Sequence, residues 1–305
     1  MDRVIYSHDT MSYVITLIPA APLMPPMLAE QLVADLEAAD NAPIALDWLA
    51  PQRVIDIHID HYPTVDFLES IHQVCHTMTT DIIIQPLVDR DKQMLISDMD
   101  STMITVECID ELADYVGKKD EVAHITERAM NGELDFTQAL NERVALLAGL
   151  AETTLEACFN ERVKIMPGAP ELLAIMKREG AYCLLVSGGF DFFTTRIAGL
   201  LGFDESLGNR LEMVDGKLTG KVLPPILDKH SKLQALGQHS SERGIKPEAI
   251  LAIGDGANDL PMLTAAGLGV AYHAKPHVRE QVNAQINYND LTALIYAQGF
   301  EFRPT

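Results

Sequence analysis

The stretch Met94-Leu95-Ile96-Ser97-Asp98-Met99-Asp100-Ser101-Thr102 places a short apolar strand directly before a cluster of acids and hydroxyls. Residues 94–97 have the length and character of a buried strand, and two carboxylates follow it. Buried carboxylates are costly unless a metal ion or a substrate neutralises them. The stretch therefore predicts a strand of a parallel sheet whose carboxyl end carries chemistry. A turn or helix cap rich in Asp and Ser is the alternative for this cluster taken alone.

Strand and helix patterns alternate from this stretch onward. The predicted strands cover 94–97, 181–186, 249–253 and 268–271, the last strand, and helices are predicted around 170–179, 192–201, 231–243 and from 260. Residues 211–220 predict a hairpin around Asp215-Gly216. Residues 103–165 are helical in pattern and show no strand. We therefore predict an α/β fold with a doubly wound parallel sheet and a helical cap inserted at about 103–165.

The first ninety residues follow a different pattern. Strand-like runs at 13–18, 44–48, 54–59 and 81–85 alternate with helical patterns at 28–36 and 66–78. The order β-α-β-β-α-β matches a split β-α-β, ferredoxin-like sandwich. Residues 1–90 hold 13 acids against 3 arginines and no Lys, whereas residues 91–305 hold 31 acids against 20 basic residues. We therefore expect an N-terminal α+β domain over 1–90 and a second domain over 91–305.

The composition excludes several classes of partner. The chain has 305 residues and a formal net charge of −21, which repels nucleic-acid phosphates and anionic lipid surfaces. No run approaches a membrane span and no signal peptide is evident, which favours the cytoplasm. Four separated cysteines without a CxxC pair favour buried reduced thiols. His72 and His76 flank Cys75 at helical spacing, which suits a metal but fits a half-exposed helix face better.

Two further polar clusters follow predicted strands, where ligands bind in open α/β sheets. Ser187-Gly188-Gly189 follows the strand at 181–186, and its backbone N–H groups suit either a bound anion or an ordinary turn. Gly254-Asp255-Gly256-Ala257-Asn258-Asp259 follows the strand at 249–253 and offers oxygen ligands of the kind that Mg²⁺ prefers. Lys232, on a predicted helix, is a candidate for holding a phosphoryl group, and Lys229 is its rival.

These motifs carry a family resemblance. The order DMDST, VSGGF, a lysine and GDGANDL resembles the haloacid dehalogenase superfamily of Mg²⁺-dependent phosphatases. Flanking residues narrow the resemblance to its phosphoserine phosphatase family across about residues 91–295. Those flanks are Glu107, the cap stretches 127–132 and 141–147 with Phe136 between them, VSGGFDFF and GDGANDLPML. The resemblance implies a HAD-like, Rossmann-type core for residues 91–305.

The resemblance also implies a reaction, the hydrolysis of O-phospho-L-serine to L-serine and phosphate, the last step of phosphorylated serine biosynthesis. Asp98 would be the nucleophile that becomes an aspartyl phosphate, and Asp100 the general acid and base. Mg²⁺ would bind Asp98, the carbonyl of Asp100 and Asp255, with Asp259 in support. The remaining candidates would contact the phosphate or the rest of the substrate: Ser187, Gly188, Lys232, Asn258, Glu107, Arg143, Met130 and Phe136.

Substrate choice would depend on the cap. Glu107 and Arg143 would bind the ammonium and the carboxylate of the seryl group, while Met130 and Phe136 would form an apolar wall. Without the resemblance, Glu107 and Arg143 fit better as helix-surface residues with no role. Two other functions stay open. One is a related phosphatase or phosphotransferase that uses another small phosphomonoester, and the other is a non-catalytic amino-acid sensor.

The N-terminal segment carries a weaker resemblance. Residues 12–86 resemble small ACT-type ligand-binding domains in the order of their elements only. The resemblance implies that this domain binds an amino-acid effector or forms a homodimer. The alternative is that it is a purely structural appendage.

Overall fold

The structure is a computed structural model that describes residues 12–39, 41–130 and 133–302. It contains two β-sheets, the first built before residue 87 and the second after residue 93. The elements of the first part are β1 (Tyr13–Pro19), α1 (Pro26–Ala38), β2 (Ala45–Ala50), β3 (Val54–Ile59), α2 (Val65–Thr77) and β4 (Thr80–Pro86). The two sheets thus end and begin on either side of the predicted boundary near residue 90.

The first sheet has the strand order β2-β3-β1-β4, and every neighbouring pair is antiparallel. One face packs on α1 and α2, where Ile15 and Ile57 meet Leu28 in one apolar cluster. The opposite face joins the core of the second sheet through Ile18 and Ile83. Because both faces are covered, every residue of β3 is buried, including Asp56 and His58, which alternate with the apolar residues of the strand.

The elements of the second part alternate as predicted. They are β5 (Met94–Ser97), α3 (Cys108–Tyr115), α4 (Lys119–Met130), α5 (Phe136–Ala145), α6 (Glu152–Arg162), α7 (Ala169–Arg178), β6 (Tyr182–Phe190), α8 (Asp191–Leu201), β7 (Glu205–Val214), β8 (Lys217–Leu223), α9 (Lys229–Arg243), β9 (Ile250–Gly254), α10 (Leu260–Ala265), β10 (Leu268–Tyr272), α11 (Pro276–Arg279), β11 (Ala284–Ile286) and α12 (Ala293–Ala297). A short 3₁₀ turn, Pro247–Ala249, precedes β9.

The second sheet has the order β11-β10-β9-β5-β6-β7-β8. Its pairs are parallel except for the antiparallel pair of β7 and β8. Successive residues of β5 lie on opposite faces of the sheet. Leu95 packs in an apolar cluster with α7, α8 and α12, whereas Ile96 packs in another with α9 and α10. The doubly wound parallel sheet is therefore confirmed, with one antiparallel strand at its edge.

The strands differ from the predictions in three details. The strand at 268–271 is not the last, because β11 pairs with β10 in parallel. A strand of three residues is too short to leave a periodic pattern. β6 continues through the Ser-Gly-Gly loop to Phe190. The predicted hairpin around Asp215-Gly216 is confirmed, but its first strand, β7, begins earlier, at Glu205, so the hairpin extends the main sheet.

The cap consists of α3 to α6, inserted between β5 and α7. A single β-bridge between Ile104 and Ile165 joins the two ends of the insertion. The cap rests on the hairpin where α5 meets β8, at Gly220, whose φ is +84°. A Cβ atom there would lie 2.9 Å from the Cβ of Ala148, so the close approach requires glycine.

A buried ion pair at Arg90 connects the first sheet to α12. The Arg90 guanidinium donates to both carboxylate oxygens of Asp56, at 2.6 and 2.9 Å, and to the hydroxyl of Thr16 at 2.9 Å. Its Nε donates to the carbonyl of Ala297 at 2.8 Å, so the same side chain holds α12. Arg90 and Asp56 are both buried, and removal of one charge would leave the other without compensation.

We expect Arg90→Met to lower the free energy of unfolding by about 3–5 kcal/mol, because the variant leaves the Asp56 carboxylate buried and unpaired. Urea unfolding of the full chain measures this. The matched control is Arg178→Met, whose pair with Glu179 is exposed and is worth at most about 1 kcal/mol. Equal losses in the two variants would contradict a stabilising role for the buried pair.

Within the described residues, every helix is too short or too polar to cross a bilayer.

Candidate active site

The first motif forms a compact turn at the carboxyl end of β5. The N–H of Asp98 donates to the carbonyl of Ile253 at 3.0 Å and so continues the pairing of β5 with β9. The carbonyl of Met99 then accepts the N–H groups of the next residues, at 2.8 Å from Met103 and 3.1 Å from Ile104. The N–H of Met99 donates to the Asp98 carboxylate at 2.7 Å. The turn thus fixes the direction of the Asp98 side chain.

The second motif lies beside the first, at the end of β6. The N–H of Gly189 donates to the Ser187 hydroxyl oxygen at 2.8 Å. A Cβ atom on Gly189 would lie 2.8 Å from a carboxylate oxygen of Asp100, so only glycine allows the two loops to approach this closely. The buried amide of Asn209 donates to the carbonyl of Gly188 at 2.8 Å. This contact holds the loop and aligns its backbone groups with the Asp98 turn.

The third motif follows β9 and supplies two acids. Asp259 is buried, and its carboxylate accepts the N–H of Gly256 at 3.0 Å. Asp255 is partly buried and lies 3.3 Å from the hydroxyl of Thr102. One carboxylate oxygen from each of Asp98, Asp255 and Asp259 lies within 4.8 Å of the others. Three carboxylates therefore converge at the carboxyl edge of the sheet, as the motif spacing predicts.

Lys232 is the cation at this edge. Its Nζ lies 2.7 Å from the Asp98 carboxylate and 2.5 Å from the Asp259 carboxylate, and the side chain is fully buried. Burial lowers the pKa of this ammonium, but Asp259 and Asp98 raise the pKa of Lys232 above its ordinary value overall. The side chain therefore stays protonated at neutral pH and offers a fixed positive charge.

The cap brings Glu107 to the first motif and Arg143 into the neighbourhood of Glu107. The Glu107 carboxylate accepts a hydrogen bond from the hydroxyl of Ser101 at 2.7 Å. Its negative charge contributes to the raised pKa of Asp100 and of Asp255. Burial lowers the pKa of Arg143, while the nearby charges of Asp110 and Glu107 raise it. Phe136 contacts the second motif, since a Cβ atom on Gly188 would lie 3.2 Å from its ring. The site thus has charged and apolar walls facing the acids.

Burial shifts the acids of the site towards their protonated forms. It raises the pKa of Asp100 well above its usual range, and the charge of Glu107 adds to the shift. Burial and the charge of Asp98 raise the pKa of Asp255 to about 6 and that of Asp259 to about 7. A protonated Asp100 can donate a proton to a leaving group at neutral pH.

Comparison with known proteins agrees with this geometry. A family model for haloacid dehalogenase-like hydrolases matches residues 95–264. A phosphoserine phosphatase from Polaromonas sp. strain JS666 is 47% identical over 210 residues, which cover 67% of this chain and 89% of that relative. A phosphoserine phosphatase from Albidiferax ferrireducens is 46% identical over 215 residues, covering 69% and 91% of the two chains. The chain belongs to the phosphoserine phosphatases of the haloacid dehalogenase-like hydrolase family.

Solved structures extend the likeness beyond the catalytic part. A HAD family hydrolase from Salmonella enterica serovar Typhi superposes with a TM-score of 0.85 at 30% identity, covering 95% of this chain and 99% of that one. A substrate-bound phosphoserine phosphatase complex superposes with a TM-score of 0.63 at 38% identity, covering 67% and 97%. The first match includes both sheets, whereas the second accounts for about the length of the catalytic part.

The structure brings the predicted site residues together around one edge of the sheet. Asn258 lies beside the acids, with its amide 3.5 Å from Asp259. Met130 ends α4, and its side chain lies outside what the structure describes. The same holds for the side chain of Lys229, at the start of α9, whereas the side chain of Lys232 is described and contacts Asp98 and Asp259.

Sequence reasoning missed several residues that shape the site. Asn209 holds the Gly188 loop from β7, and no local pattern marks it. Ser101 and Thr102 stand inside the first motif, yet their contacts with Glu107 and Asp255 depend on the fold. Lys275 follows β10, its N–H lies 3.4 Å from the Asp255 carbonyl, and its charge acts on Glu107. Its place after a strand that ends at this edge is the one signal that would have found it.

The chemistry of the acids fits a divalent metal ion. Asp98, Asp255 and Asp259 present hard oxygen ligands within 4.8 Å of one another. These three carboxylates face one ammonium, that of Lys232, and the charge of Asp98 adds to burial in raising the pKa values of Asp255 and Asp259. A cation would compensate for this excess, so Mg²⁺ suits the site. Its ligands would be Asp98 and Asp255, the carbonyl of Asp100, and Asp259 in support.

We expect the metal-free chain to lose stability as the pH rises from about 4 through 7. The folded-state pKa values of Asp255 and Asp259, about 6 and 7, lie above the unfolded value of 3.8, so the folded chain binds more protons. Thermal unfolding in a chelator should therefore show a lower Tm at pH 8 than at pH 6. Added Mg²⁺ should raise the Tm more at pH 8.

Asp255→Asn isolates the contribution of this acid to that behaviour. We expect the variant to show a weaker dependence of Tm on pH and a smaller response to Mg²⁺, because it removes one carboxylate from the group. Asp120→Asn, on the exposed surface of α4, is the control and should behave as the unmodified chain does. The metal assignment is wrong if Asp255→Asn responds to Mg²⁺ as strongly as the control.

Proposed function

We propose that this chain is a Mg²⁺-dependent phosphomonoester hydrolase that converts O-phospho-L-serine and water to L-serine and phosphate, the last step of phosphorylated serine biosynthesis. The observation that carries the proposal is a pair of unlike charges: Glu107, which accepts the hydroxyl of Ser101 in the first motif, and Arg143 on the cap, which lies within reach of the charge of Glu107. A seryl group carries an ammonium and a carboxylate, which these two side chains complement. The similarity to phosphoserine phosphatases at 46–47% identity supports the same substrate.

The first chemical step uses Asp98 and Asp100. A carboxylate oxygen of Asp98 attacks phosphorus, the bond from phosphorus to the seryl oxygen breaks, and Asp100 gives its proton to that oxygen. The raised pKa of Asp100 keeps this proton available at neutral pH. L-serine leaves, and Asp98 carries the phosphoryl group as an acyl phosphate.

The second step reverses the proton transfer. Asp100, now ionised, accepts a proton from water while the water oxygen attacks the phosphorus of the acyl phosphate. The bond between phosphorus and Asp98 breaks, which releases phosphate and restores the carboxylate. Ser187, the N–H of Gly188 and Lys232 hold the phosphoryl oxygens throughout, where negative charge accumulates. Bound Mg²⁺ would supply electrostatic compensation between the carboxylate nucleophile and the phosphate dianion.

The cap sets the substrate and excludes water. Phe136 lies against Gly188, so a closed cap covers the phosphoryl site with an aromatic ring. Met130 would add to this wall. Asn258 would complete the polar shell beside Asp259.

Arg143→Met tests the choice of substrate. We expect kcat/KM for O-phospho-L-serine to fall on the order of 100-fold, because the variant removes a charged hydrogen-bond partner of the substrate carboxylate. Hydrolysis of an aryl phosphate, which lacks that carboxylate, should fall much less. Arg128→Met is the matched control, since Arg128 lies on the same cap in a partly exposed pair with Glu142. Equal losses on both substrates would point to another small phosphomonoester.

We also propose that residues 1–90 form an ACT-type accessory unit that accepts an amino-acid effector, with 91–305 as the catalytic unit and the cap at about 103–165. The four-stranded antiparallel sheet with α1 and α2 on one face supports the first of these units. A homodimer through this unit is part of the same proposal, and the molar mass in solution measured by light scattering tests it.

A further inference from the structure

A cleft of about 420 Å³ lies between the two sheets, away from the Asp98 site. Its walls come from α2 and β4 on one side and from the segment between α11 and Tyr288 on the other. The volume lies in the range that small-molecule ligands occupy. Its polar lining includes His72, His76, Asp81, Arg279, Glu280 and Tyr288.

The cleft offers one free cation and one free carboxylate. Arg279 is the only Lys or Arg among the described residues that line it. One nitrogen of its guanidinium donates to Asn287 at 3.2 Å, which leaves its other donors available within the described part of the chain. Glu280 is exposed, and its carboxylate has no partner among the described residues. Burial lowers the pKa of His72, so Arg279 provides the positive charge at neutral pH.

The cleft is held in shape by hydrogen bonds across the two sheets. The buried carboxylate of Asp81, on β4, accepts the N–H groups of Asn287 at 2.7 Å and Asn289 at 3.0 Å. The Tyr288 hydroxyl pairs with the imidazole of His76 on α2. A cleft whose walls are already fixed loses little conformational entropy when a ligand binds.

We propose that this cleft binds a free amino acid, with its carboxylate on Arg279 and its ammonium on Glu280. The apolar side chains of Leu68, Ile82 and Val282 line the same space and would contact the remainder of the ligand. The inference deepens the proposal that residues 1–90 accept an effector: the two charged groups lie at the end of α11, and both parts of the chain supply the apolar lining. It uses no residue of the catalytic site.

Occupancy of the cleft is linked to the active site through α11. The N–H of Lys275, directly before α11, lies 3.4 Å from the carbonyl of Asp255, and Arg279 ends the helix inside the cleft. The carbonyl of Arg279 accepts the side-chain amide of Gln285 at 2.9 Å. One short helix therefore has a proposed metal ligand at one end and the cleft at the other, so a ligand that holds Arg279 also restrains Asp255.

Binding is tested on the full chain in an Arg143→Met background, which removes the carboxylate-binding group of the active site. Titration calorimetry with each standard protein amino acid should find at least one with a Kd below about 1 mM. Methylamine and acetate, each of which carries one of the two charges, should bind at least about tenfold more weakly. The proposal is overturned if no amino acid binds or if either fragment binds equally well.

Variants locate the binding groups. In the same background, Arg279→Met should weaken binding at least about tenfold, whereas Arg178→Met, an exposed arginine outside the cleft, should leave it unchanged. Glu280→Gln is a second variant at an exposed position and serves if Arg279→Met fails to fold. Binding that survives both cleft variants would refute the assignment.

Activity assays separate this inference from the catalytic proposal. With Arg143 intact, the amino acid that binds should change KM or kcat for O-phospho-L-serine by about fivefold. The chain with Arg279→Met should show normal activity and no such change. Failure of the catalytic proposal appears instead as absence of turnover without any amino acid present. An unchanged rate at saturating amino acid would overturn the link through α11.

Discussion

Asp98→Asn should abolish phosphate release from O-phospho-L-serine, with a loss on the order of 10⁴-fold or more. The amide keeps the shape of the carboxylate but is not a nucleophile towards phosphorus, so no acyl phosphate forms. Phosphate release in saturating Mg²⁺ measures the loss. Mass spectrometry of acid-quenched reactions should find a phosphoryl group on Asp98 of the unmodified chain and none on the variant.

The variant should fold at least as well as the unmodified chain when metal is absent. Asp98 lies within 4.8 Å of Asp255 and Asp259, and its charge raises the pKa of both. Removing that charge relieves repulsion, so the Tm of Asp98→Asn in a chelator should equal or exceed the original value. Asp120→Asn is the control for the loss of one negative charge and should remain active. Turnover that persists in Asp98→Asn would refute the nucleophile.

The motifs predicted the cluster of acids because parallel strands bring their carboxyl ends to one edge of the sheet. Asp98 and Asp255 follow β5 and β9, which are neighbours in the sheet, so their meeting depends only on strand order. The strands themselves were visible because both of their faces are buried, which leaves continuous apolar runs such as residues 250–253. The contact of Lys232 with these acids could not be predicted in the same way. It depends on the distance between α9 and that edge of the sheet, which the spacing along the chain does not give.

The contacts that join the two parts of the chain could not be predicted from the sequence. Arg90 and Asp56 lie far apart in the chain, and from the sequence alone each would be predicted to be an exposed charge. The same holds for Asp81, whose carboxylate accepts backbone N–H groups of Asn287 and Asn289. Such contacts arise when two separately patterned units pack together, and no local periodicity records them. The β11 strand was missed because its three residues are too few to show a periodic pattern.

Lys232→Met should lower kcat on the order of 10³-fold, because the variant removes the ammonium that holds both the nucleophile and the transferring phosphoryl group. It should also lower the free energy of unfolding by about 3–5 kcal/mol at pH 8 in a chelator, since it leaves the buried carboxylates of Asp98 and Asp259 unpaired. The folded-state pKa of Asp259, about 7, lies above its unfolded value of 3.8, so the loss of stability should shrink as the pH falls and Asp259 takes up a proton.

A double variant separates the two effects of Lys232. Asp259→Asn added to Lys232→Met removes one of the unpaired carboxylates, so it should recover part of the lost stability at pH 8. It should recover none of the activity, because the phosphoryl group still lacks its ammonium. Urea unfolding and phosphate release on the same preparations give both results. Recovery of activity together with stability would show that Lys232 acts only by holding the fold, and that the phosphoryl group is bound by Ser187 and the Gly188 backbone without it.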